Sequence, residues 1–120
     1  MIPKFRAWDK LRKRMSTVDR IYFDTEGVQL RDDGGLYWRH FREVILMQST
    51  GLKDKNGVEV FEGDVVRLLD SLYTIFYDSE KGSYRLKPHD DRWNVDYMSN
   101  FSHGGNFEVV ENIYEGKEYL

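Results

Sequence analysis

The chain has 120 residues, a formal net charge of −3 and a composition that is 40% hydrophobic and 32% charged, which favours one water-soluble globular domain over residues 1–120 and argues against disorder. Its lack of cysteine excludes a disulfide framework and a thiolate metal site. It has no apolar leader segment and no apolar run near the ~20 residues that a membrane span requires, so we expect a cytoplasmic protein with no membrane contact.

The first half of the chain predicts short strands rather than helices. β-Branched and aromatic residues alternate with polar ones over short stretches, which is typical of strands. A charged turn follows the first predicted strand, and a cluster of aspartates and glycines at residues 32–35 interrupts the pattern later. The strands predicted here cover residues 4–8, 15–23, 28–31, 36–38 and 42–48.

The stretch GLKDKNGVEVFEGDVV, residues 51–66, fits either an active-site loop or a structural turn. Its Asn56-Gly57 step is the pair preferred at the tip of a type I′ hairpin, where both central residues need a positive φ. Asp64 belongs to a second turn, in which its carboxylate can accept hydrogen bonds from nearby backbone N–H groups. We therefore interpret this stretch as a structural turn that joins two strands.

The second half of the chain predicts further strands and one helix. The strands cover residues 58–61, 65–69, 72–77, 84–87 and 107–114. Trp93, Tyr97 and Phe101 recur every four residues ahead of Gly104-Gly105, which favours a short helix in the C-terminal half. The fold class that we expect is mainly β: a small, hairpin-rich, partly open β-barrel domain with this one helix.

Charge is distributed unevenly along the chain. Residues 1–20 carry seven Lys or Arg against two Asp, a balance of +5, whereas residues 21–120 have a balance of −8. Four of the bases lie in or beside the turn after the first predicted strand: Lys10, Arg12, Lys13 and Arg14. This basic turn can bind nucleic-acid phosphates, or it can be a solvated turn that protects a sheet edge from aggregation. It is the candidate nucleic-acid-binding site.

No pattern in the sequence marks a catalytic or metal site. Four acids surround the central turns: Asp54, Glu59, Glu62 and Asp64. Their order is not that of a calcium loop. The three histidines are His40, His89 and His103. Their spacing does not fit metal ligation from one helix. We therefore expect no catalytic residue, no metal, no cofactor and no enzymatic activity, with a hydrolytic enzyme as the remaining alternative.

Three motifs occur in order along the chain. They are KFRAWD at residues 4–9, MQSTGLKDKNG at 47–57 with FEGDVV at 61–66, and FEVVENIYE at 107–115. Together they resemble the YopX-like family of phage and prophage proteins, over nearly the whole chain. Glu111 stands where that family commonly has glycine, and residues 116–119 depart from its usual end. The resemblance implies a small, mainly β, phage-encoded protein of the bacterial cytoplasm, and it transfers no functional residue because it implies no established activity.

Two kinds of function agree with these observations. The first is a non-enzymatic binding module that contacts a host or phage macromolecule, with weak, salt-dependent nucleic-acid binding through the basic turn as the alternative. The second is an assembly protein whose strand edges and aromatic residues form a homo-oligomer. The expected partners are therefore a second copy of the chain, a host or phage protein and, weakly, nucleic acid.

Overall fold

The computed structural model describes residues 4–90, 96–97 and 107–115. These residues form eleven β-strands and one three-residue 3₁₀ helix, and the strand pairings are antiparallel. The chain divides into two compact units, Met1–Gln48 and Ser49–Leu120. Within the described ranges, no helix is long and apolar enough to cross a bilayer. The predicted mainly β, hairpin-rich class is confirmed, and the prediction of a single domain stays a prediction.

The first unit is an antiparallel sheet in which three consecutive hairpins join four strands and a fifth strand pairs with the first. Its strands are β1 Phe5–Asp9, β2 Arg14–Tyr22, β3 Gly27–Asp32, β4 Gly35–His40 and the first part of β5 Val44–Lys53. They lie in the order β4-β3-β2-β1-β5. Asp33 and Gly34 form the turn between β3 and β4, and both are residue types that turns favour. In the two preceding turns the positive φ is at Lys13 and Glu26. The 3₁₀ helix Phe41–Glu43 connects β4 to β5.

One face of this sheet carries the core of the first unit. Val28 and Leu30 of β3 are fully buried, and Gln29 between them points to the other face, as the alternation of a strand requires. They pack in one cluster with Ala7 and Val44. The face that carries Gln29 is directed away from this core.

The second unit contains a hairpin and a five-stranded antiparallel sheet. The hairpin joins the second part of β5 to β6 Glu59–Phe61. The strands of the sheet are β7 Asp64–Leu68, β8 Ser71–Asp78, β9 Ser83–Pro88, β10 Asp96–Tyr97 and β11 Phe107–Asn112. Their order is β10-β9-β8-β7-β11. The buried core cluster consists of Val60, Val66, Ile75, Leu86 and Phe107.

Two details of the predicted fold differ from the structure. The predicted helix is wrong at the two residues where it can be compared, because Asp96–Tyr97 form β10 and pair with β9. Trp93 and Phe101, which also supported the helix, lie outside the described residues. Whether such a segment is a helix or a strand depends on its pairing with a distant strand, and a local repeat of aromatic residues carries no information about that pairing. Within the described residues, the sheets keep open edges and do not close into a barrel.

The Asn56-Gly57 step lies at a hairpin tip, as predicted, but the predicted turn type is wrong. The carbonyl of Asp54 accepts a hydrogen bond from the N–H of Gly57 at 3.0 Å, and the N–H of Asp54 donates to the carbonyl of Val58 at 2.8 Å. These bonds close a three-residue loop in which Gly57 has a φ of +81°. A type I′ turn would require a positive φ at Asn56 as well, and Asn56 does not have one.

Candidate functional site

The candidate nucleic-acid-binding residues lie in or beside the turn between β1 and β2: Lys10, Arg12, Lys13 and Arg14. Arg12 donates to the carboxylate of Asp32 at 2.9 Å, and Arg14 lies 3.8 Å from the same carboxylate. The ammonium group of Lys10 donates to the carbonyl of Arg42 at 3.1 Å. Three of the four cations therefore have a partner within the protein, and nucleic-acid binding by the basic turn stays a prediction.

A buried carboxylate, Asp9, anchors the basic turn. Its Oδ1 accepts hydrogen bonds from the backbone N–H groups of Leu11 at 2.9 Å and Arg12 at 3.3 Å, and Nε of Arg39 donates to Oδ2 at 3.1 Å. Burial by itself raises the pKa of Asp9, but these donors and the positive charge of Arg39 outweigh it and hold the pKa below its ordinary value. Asp9 is therefore ionised at neutral pH and ties the turn to β4.

Tyr37 of β4 contacts two of the same guanidinium groups. The guanidinium carbon of Arg12 lies 4.4 Å from the ring centroid, and that of Arg39 lies 4.9 Å from it. The Tyr37 hydroxyl is hydrogen-bonded to the hydroxyl of Ser16 at 2.6 Å. Cation–π contacts of this kind attract the guanidinium to the ring face. They use Arg12 and Arg39 inside the first unit, which reduces what these side chains can offer to a ligand.

Asp54, one of two buried aspartates in the stretch 51–66, is held by its own turn and by β11. Its Oδ1 accepts hydrogen bonds from two N–H groups of its own turn, both at 2.8 Å, and its Oδ2 accepts one from Val109 of β11 at 2.9 Å. Burial alone raises the pKa of Asp54, but these three N–H groups and the charge of Lys55 lower it below its ordinary value. The stretch is a structural turn, and Asp54 joins it to β11.

Two further acids of this stretch also have partners close by. The carboxylate of Asp64 accepts a hydrogen bond from the N–H of Phe61 at 2.8 Å, which confirms its predicted role in the turn. Glu59 accepts a hydrogen bond from the buried hydroxyl of Ser49. Both contacts stabilise the hairpin and the turn that follows it.

The two histidines in the described part of the chain, His40 and His89, belong to different units. His40 ends β4 in the first unit, and His89 follows β9 in the second, where its Nε2 lies 2.8 Å from the hydroxyl of Thr74. His103 lies outside the described residues. Across residues 4–90, 96–97 and 107–115, no three His, Cys, Asp or Glu side chains are grouped closely enough to hold a metal ion.

The sheet face opposite the first core carries exposed rings that no sequence motif marks. Residues paired across antiparallel strands share a face. Trp38 pairs with Gln29, while Tyr22 and His40 both pair with Gly27. The ring centroid of Trp38 lies 5.3 Å from that of Tyr22 and 6.3 Å from that of His40. Tyr22, Trp38 and His40 form what we call the aromatic face, and Trp38 is 39% exposed.

Gly27 determines how the Trp38 indole lies on this sheet. A Cβ added to Gly27 would lie 1.9 Å from Cζ2 of Trp38, and 2.4 Å and 2.5 Å from the two ring atoms bonded to Cζ2. The Cβ position therefore lies above the plane of the ring, because a point beyond the ring edge would be much farther from these two neighbours than from Cζ2. One face of the indole therefore covers Gly27, and the other is directed away from the sheet. Glycine is required here by the close approach of Trp38, since its φ is not positive.

Two arginines share the sheet face with these rings. Arg20 and Trp38 both pair with Gln29, from the two strands on either side of β3. Arg31 lies two residues after Gln29 on β3 and therefore points to the same face. Both arginines contact Asp19, at 3.8 Å and 2.6 Å, and their side chains are 69% and 60% exposed. Two guanidinium groups against one carboxylate leave an excess of positive charge. Alternation along β4 could have assigned Trp38 and His40 to one face, but it could not have shown which face of the sheet is exposed.

Comparisons with known proteins place the whole chain in one family. The crystal structure of protein EF1440 from Enterococcus faecalis is similar to this chain, with a TM-score of 0.67 and 31% sequence identity. The similarity covers 100% of this chain and 99% of that one. No curated protein matches the chain. The family model for YopX protein matches residues 4–120, and the chain therefore belongs to the YopX family.

Proposed function

We propose that this protein is a non-enzymatic binding module that contacts a host or phage macromolecule through its first unit. In this proposal the protein is encoded by a phage and works in the cytoplasm of a bacterial host. It rests on one observation, the aromatic face, where an indole on a paired sheet is 39% exposed. Large apolar groups grouped on a rigid surface are typical of contact sites, because burying them against a partner is favourable.

The state of two of the three buried aspartates, Asp9 and Asp54, supports a non-enzymatic role. Asp9 and Asp54 each accept several hydrogen bonds, and each has a pKa below its ordinary value. A general acid or base works best with a pKa near the working pH, which for a carboxylate means a raised pKa. These two carboxylates have the opposite shift and the partners of structural anchors.

The distribution of charge favours the first unit as the contact surface for an acidic partner. Residues 1–48 contain ten Lys or Arg and seven Asp or Glu, a balance of +3. Residues 49–120 contain eight Lys or Arg and fourteen Asp or Glu, a balance of −6. A positive surface attracts a negatively charged partner and speeds their encounter. The basic turn (Lys10, Arg12, Lys13 and Arg14) is the alternative contact surface for nucleic acid within the same unit.

Site-specific photocrosslinking tests the proposal. Leu36, which is 52% exposed beside the aromatic face, is replaced by a photoreactive phenylalanine derivative. The same replacement at Tyr77, which is 47% exposed in the second unit, is the matched control. In lysates of bacteria that carry the phage, we expect a crosslinked macromolecule from position 36 and not from position 77. Equal or absent crosslinking at the two positions contradicts the proposal.

Assembly of the chain with itself is the second candidate function. Phe23 is 79% exposed and Leu69 is 84% exposed, and both are large apolar side chains in the turns that follow β2 and β7. Contact with a second copy would remove them from water. Sedimentation velocity at tens of micromolar tests this, with Phe23→Ser and Leu69→Ser as variants. We expect an oligomer that the substitutions weaken, whereas a wild-type protein that sediments only as a monomer contradicts self-association.

A further inference from the structure

We infer that the aromatic face binds single-stranded nucleic acid, with an unpaired base stacked on the outer face of Trp38. The inference rests on the proposed function, because it assigns a partner class and a surface to that binding module. It concerns a different surface from the basic turn, where three of the four cations have partners within the protein.

The orientation of the indole is the first observation that favours a base as the ligand. The ring lies flat over the Cβ position of Gly27, so that its second face is directed away from the sheet. An apolar core residue would bury both faces, and an indole that packs by its edge would present no flat surface. A base stacks on an aromatic ring face to face, and each such contact contributes substantially to binding of single strands.

The neighbours of Trp38 complete a surface wide enough for a nucleotide. Tyr22 lies on one side at 5.3 Å with its ring tilted by 48°, and His40 lies at 6.3 Å with its ring nearly perpendicular. Gln29, directly opposite Trp38 on β3, carries an amide that can both donate and accept hydrogen bonds. Aromatic rings on the open face of a sheet, with polar side chains between them, are how several RNA-binding folds hold splayed bases.

The charge beside these rings fits a phosphate backbone. Arg20 and Arg31 lie on the same face and share one carboxylate, that of Asp19. The unit as a whole has a balance of +3. Exposed guanidinium groups can reach phosphates on either side of a stacked base. Two phosphate contacts predict a slope of about −1.4 in the logarithmic dependence of affinity on salt for a single strand.

A double helix does not fit this surface. The bases of a duplex are stacked on one another, and only their edges are accessible in the grooves. A flat indole on a sheet can stack only on a base that is unpaired. The surface is therefore expected to prefer single-stranded DNA or RNA to the duplex of the same sequence. The experiment below measures which of the two single strands binds more tightly.

Fluorescence anisotropy tests the inference with labelled strands of about 12 nucleotides, the length that a small sheet domain can cover. The probes are mixed-sequence DNA, RNA of the same sequence, and the DNA duplex, each measured over a range of low salt. Trp38→Ala removes the ring, and Tyr77→Ala removes a ring of similar exposure from the second unit as the matched control. Arg20→Ser together with Arg31→Ser tests the phosphate contacts. A fourth variant changes Lys10, Arg12, Lys13 and Arg14 to Ser.

We expect the wild type and Tyr77→Ala to bind a single strand more tightly than the duplex, and Trp38→Ala to bind it roughly tenfold or more weakly. The double arginine variant should have a salt slope closer to zero. Quenching of tryptophan fluorescence by an unlabelled strand should accompany binding and be absent in Trp38→Ala. These results together support the inference.

Three outcomes overturn the inference: no binding by the wild type, equal binding by Trp38→Ala, and loss of binding only in the variant of the basic turn. None of them by itself removes the proposed function. A macromolecule crosslinked from position 36 without oligonucleotide binding leaves the binding module standing with a protein partner. Failure of both experiments contradicts both proposals.

Discussion

Each unit has a buried aspartate at a hairpin turn, Asp9 in the first and Asp54 in the second, and the two negative charges are balanced in different ways. Asp9 in the first unit pairs with the guanidinium of Arg39 in addition to two backbone N–H groups. Asp54 in the second unit is held by three backbone N–H groups, one of them from β11. Asp9 is thus paired directly with a cation from a distant strand, whereas Asp54 is held by backbone N–H groups, with the charge of Lys55 as a smaller contribution.

The two units also differ in net charge and in how many of their arginines have partners within the unit. The first unit uses several arginines internally, on Asp9, Asp32 and Tyr37, and still has a balance of +3. The second unit has a balance of −6. A net charge counted along the sequence therefore overstates what the basic turn can offer to a partner. The arginines that remain well exposed in the first unit include Arg20 and Arg31, beside the aromatic face.

The largest expected effect on stability is that of Asp9→Ala. The substitution leaves the partly buried guanidinium of Arg39 without its carboxylate and two turn N–H groups without their acceptor. Breaking a buried pair in this way costs about 3 kcal/mol of the free energy of unfolding. Chemical denaturation measures it, with Asp33→Ala in an exposed turn as the control. A loss no greater than that of the control would mean that Asp9 does not anchor the turn.

A somewhat smaller loss is expected from Asp54→Asn, which tests the hydrogen bonds from the backbone to Asp54. The amide keeps the size of the carboxylate but replaces one acceptor oxygen by a donor, so at least one of these three part-buried hydrogen bonds is lost. An unsatisfied group of this kind costs about 2 kcal/mol. Thermal melting measures the change against Asp70→Asn, an exposed turn residue. Equal melting temperatures for the two variants would contradict the assigned role.

The next largest loss of stability is expected from a substitution at Gly57, in the loop whose N–H groups bind Asp54. Gly57 has a φ of +81° and open space around its Cβ position, so a side chain there would meet strain and no clash. Gly57→Val should cost on the order of 1 kcal/mol or more, because a β-branched residue resists positive φ. Asn56→Ala at the neighbouring position is the control. An unchanged melting temperature for Gly57→Val would contradict the assignment of Gly57 to a hairpin tip with a positive φ.

The smallest expected effect is on the pH dependence of stability. Asp9 and Asp54 have lower pKa values in the folded protein than in the unfolded chain, where the ordinary value is about 3.9. Their contribution is therefore complete at neutral pH and is lost as the pH falls below about 4 and through the lower folded pKa values. Asp54→Asn should lose less stability than the wild type between pH 7 and pH 3. Parallel losses in the two proteins would contradict this.

The strands could be predicted from the sequence because alternation and turn residues are local signals. The predicted strand at residues 65–69 is β7 Asp64–Leu68 in the structure, and the one at 84–87 is β9 Ser83–Pro88. The hairpin at Asn56-Gly57 was predictable for the same reason. Its turn type was not, because the Asn-Gly preference says nothing about the hydrogen bonds by which the carboxylate of Asp54 holds a longer loop.

The parts of the candidate site that escaped prediction depend on contacts between distant residues. The pairing of Arg12 with Asp32, twenty positions along the chain, is invisible in a count of charges. The aromatic face joins Tyr22 of β2 to Trp38 of β4 across Gly27 of β3. Strand register sets this arrangement, and register is a property of the folded sheet. Gly27 looks like an ordinary turn glycine in the sequence, although its role is to make room for the indole.

The central claim, that the protein meets its partner through the aromatic face, is tested most directly by NMR. The chain has three tryptophans, Trp8, Trp38 and Trp93, so an ¹⁵N-labelled sample gives three indole N–H signals that a Trp38→Phe variant helps to assign. On addition of an unlabelled single strand, we expect the Trp38 indole and the backbone amides of β2–β4 to shift most. Shifts concentrated in the second unit, or a Trp38 indole signal that does not move while the strand binds, would contradict the claim.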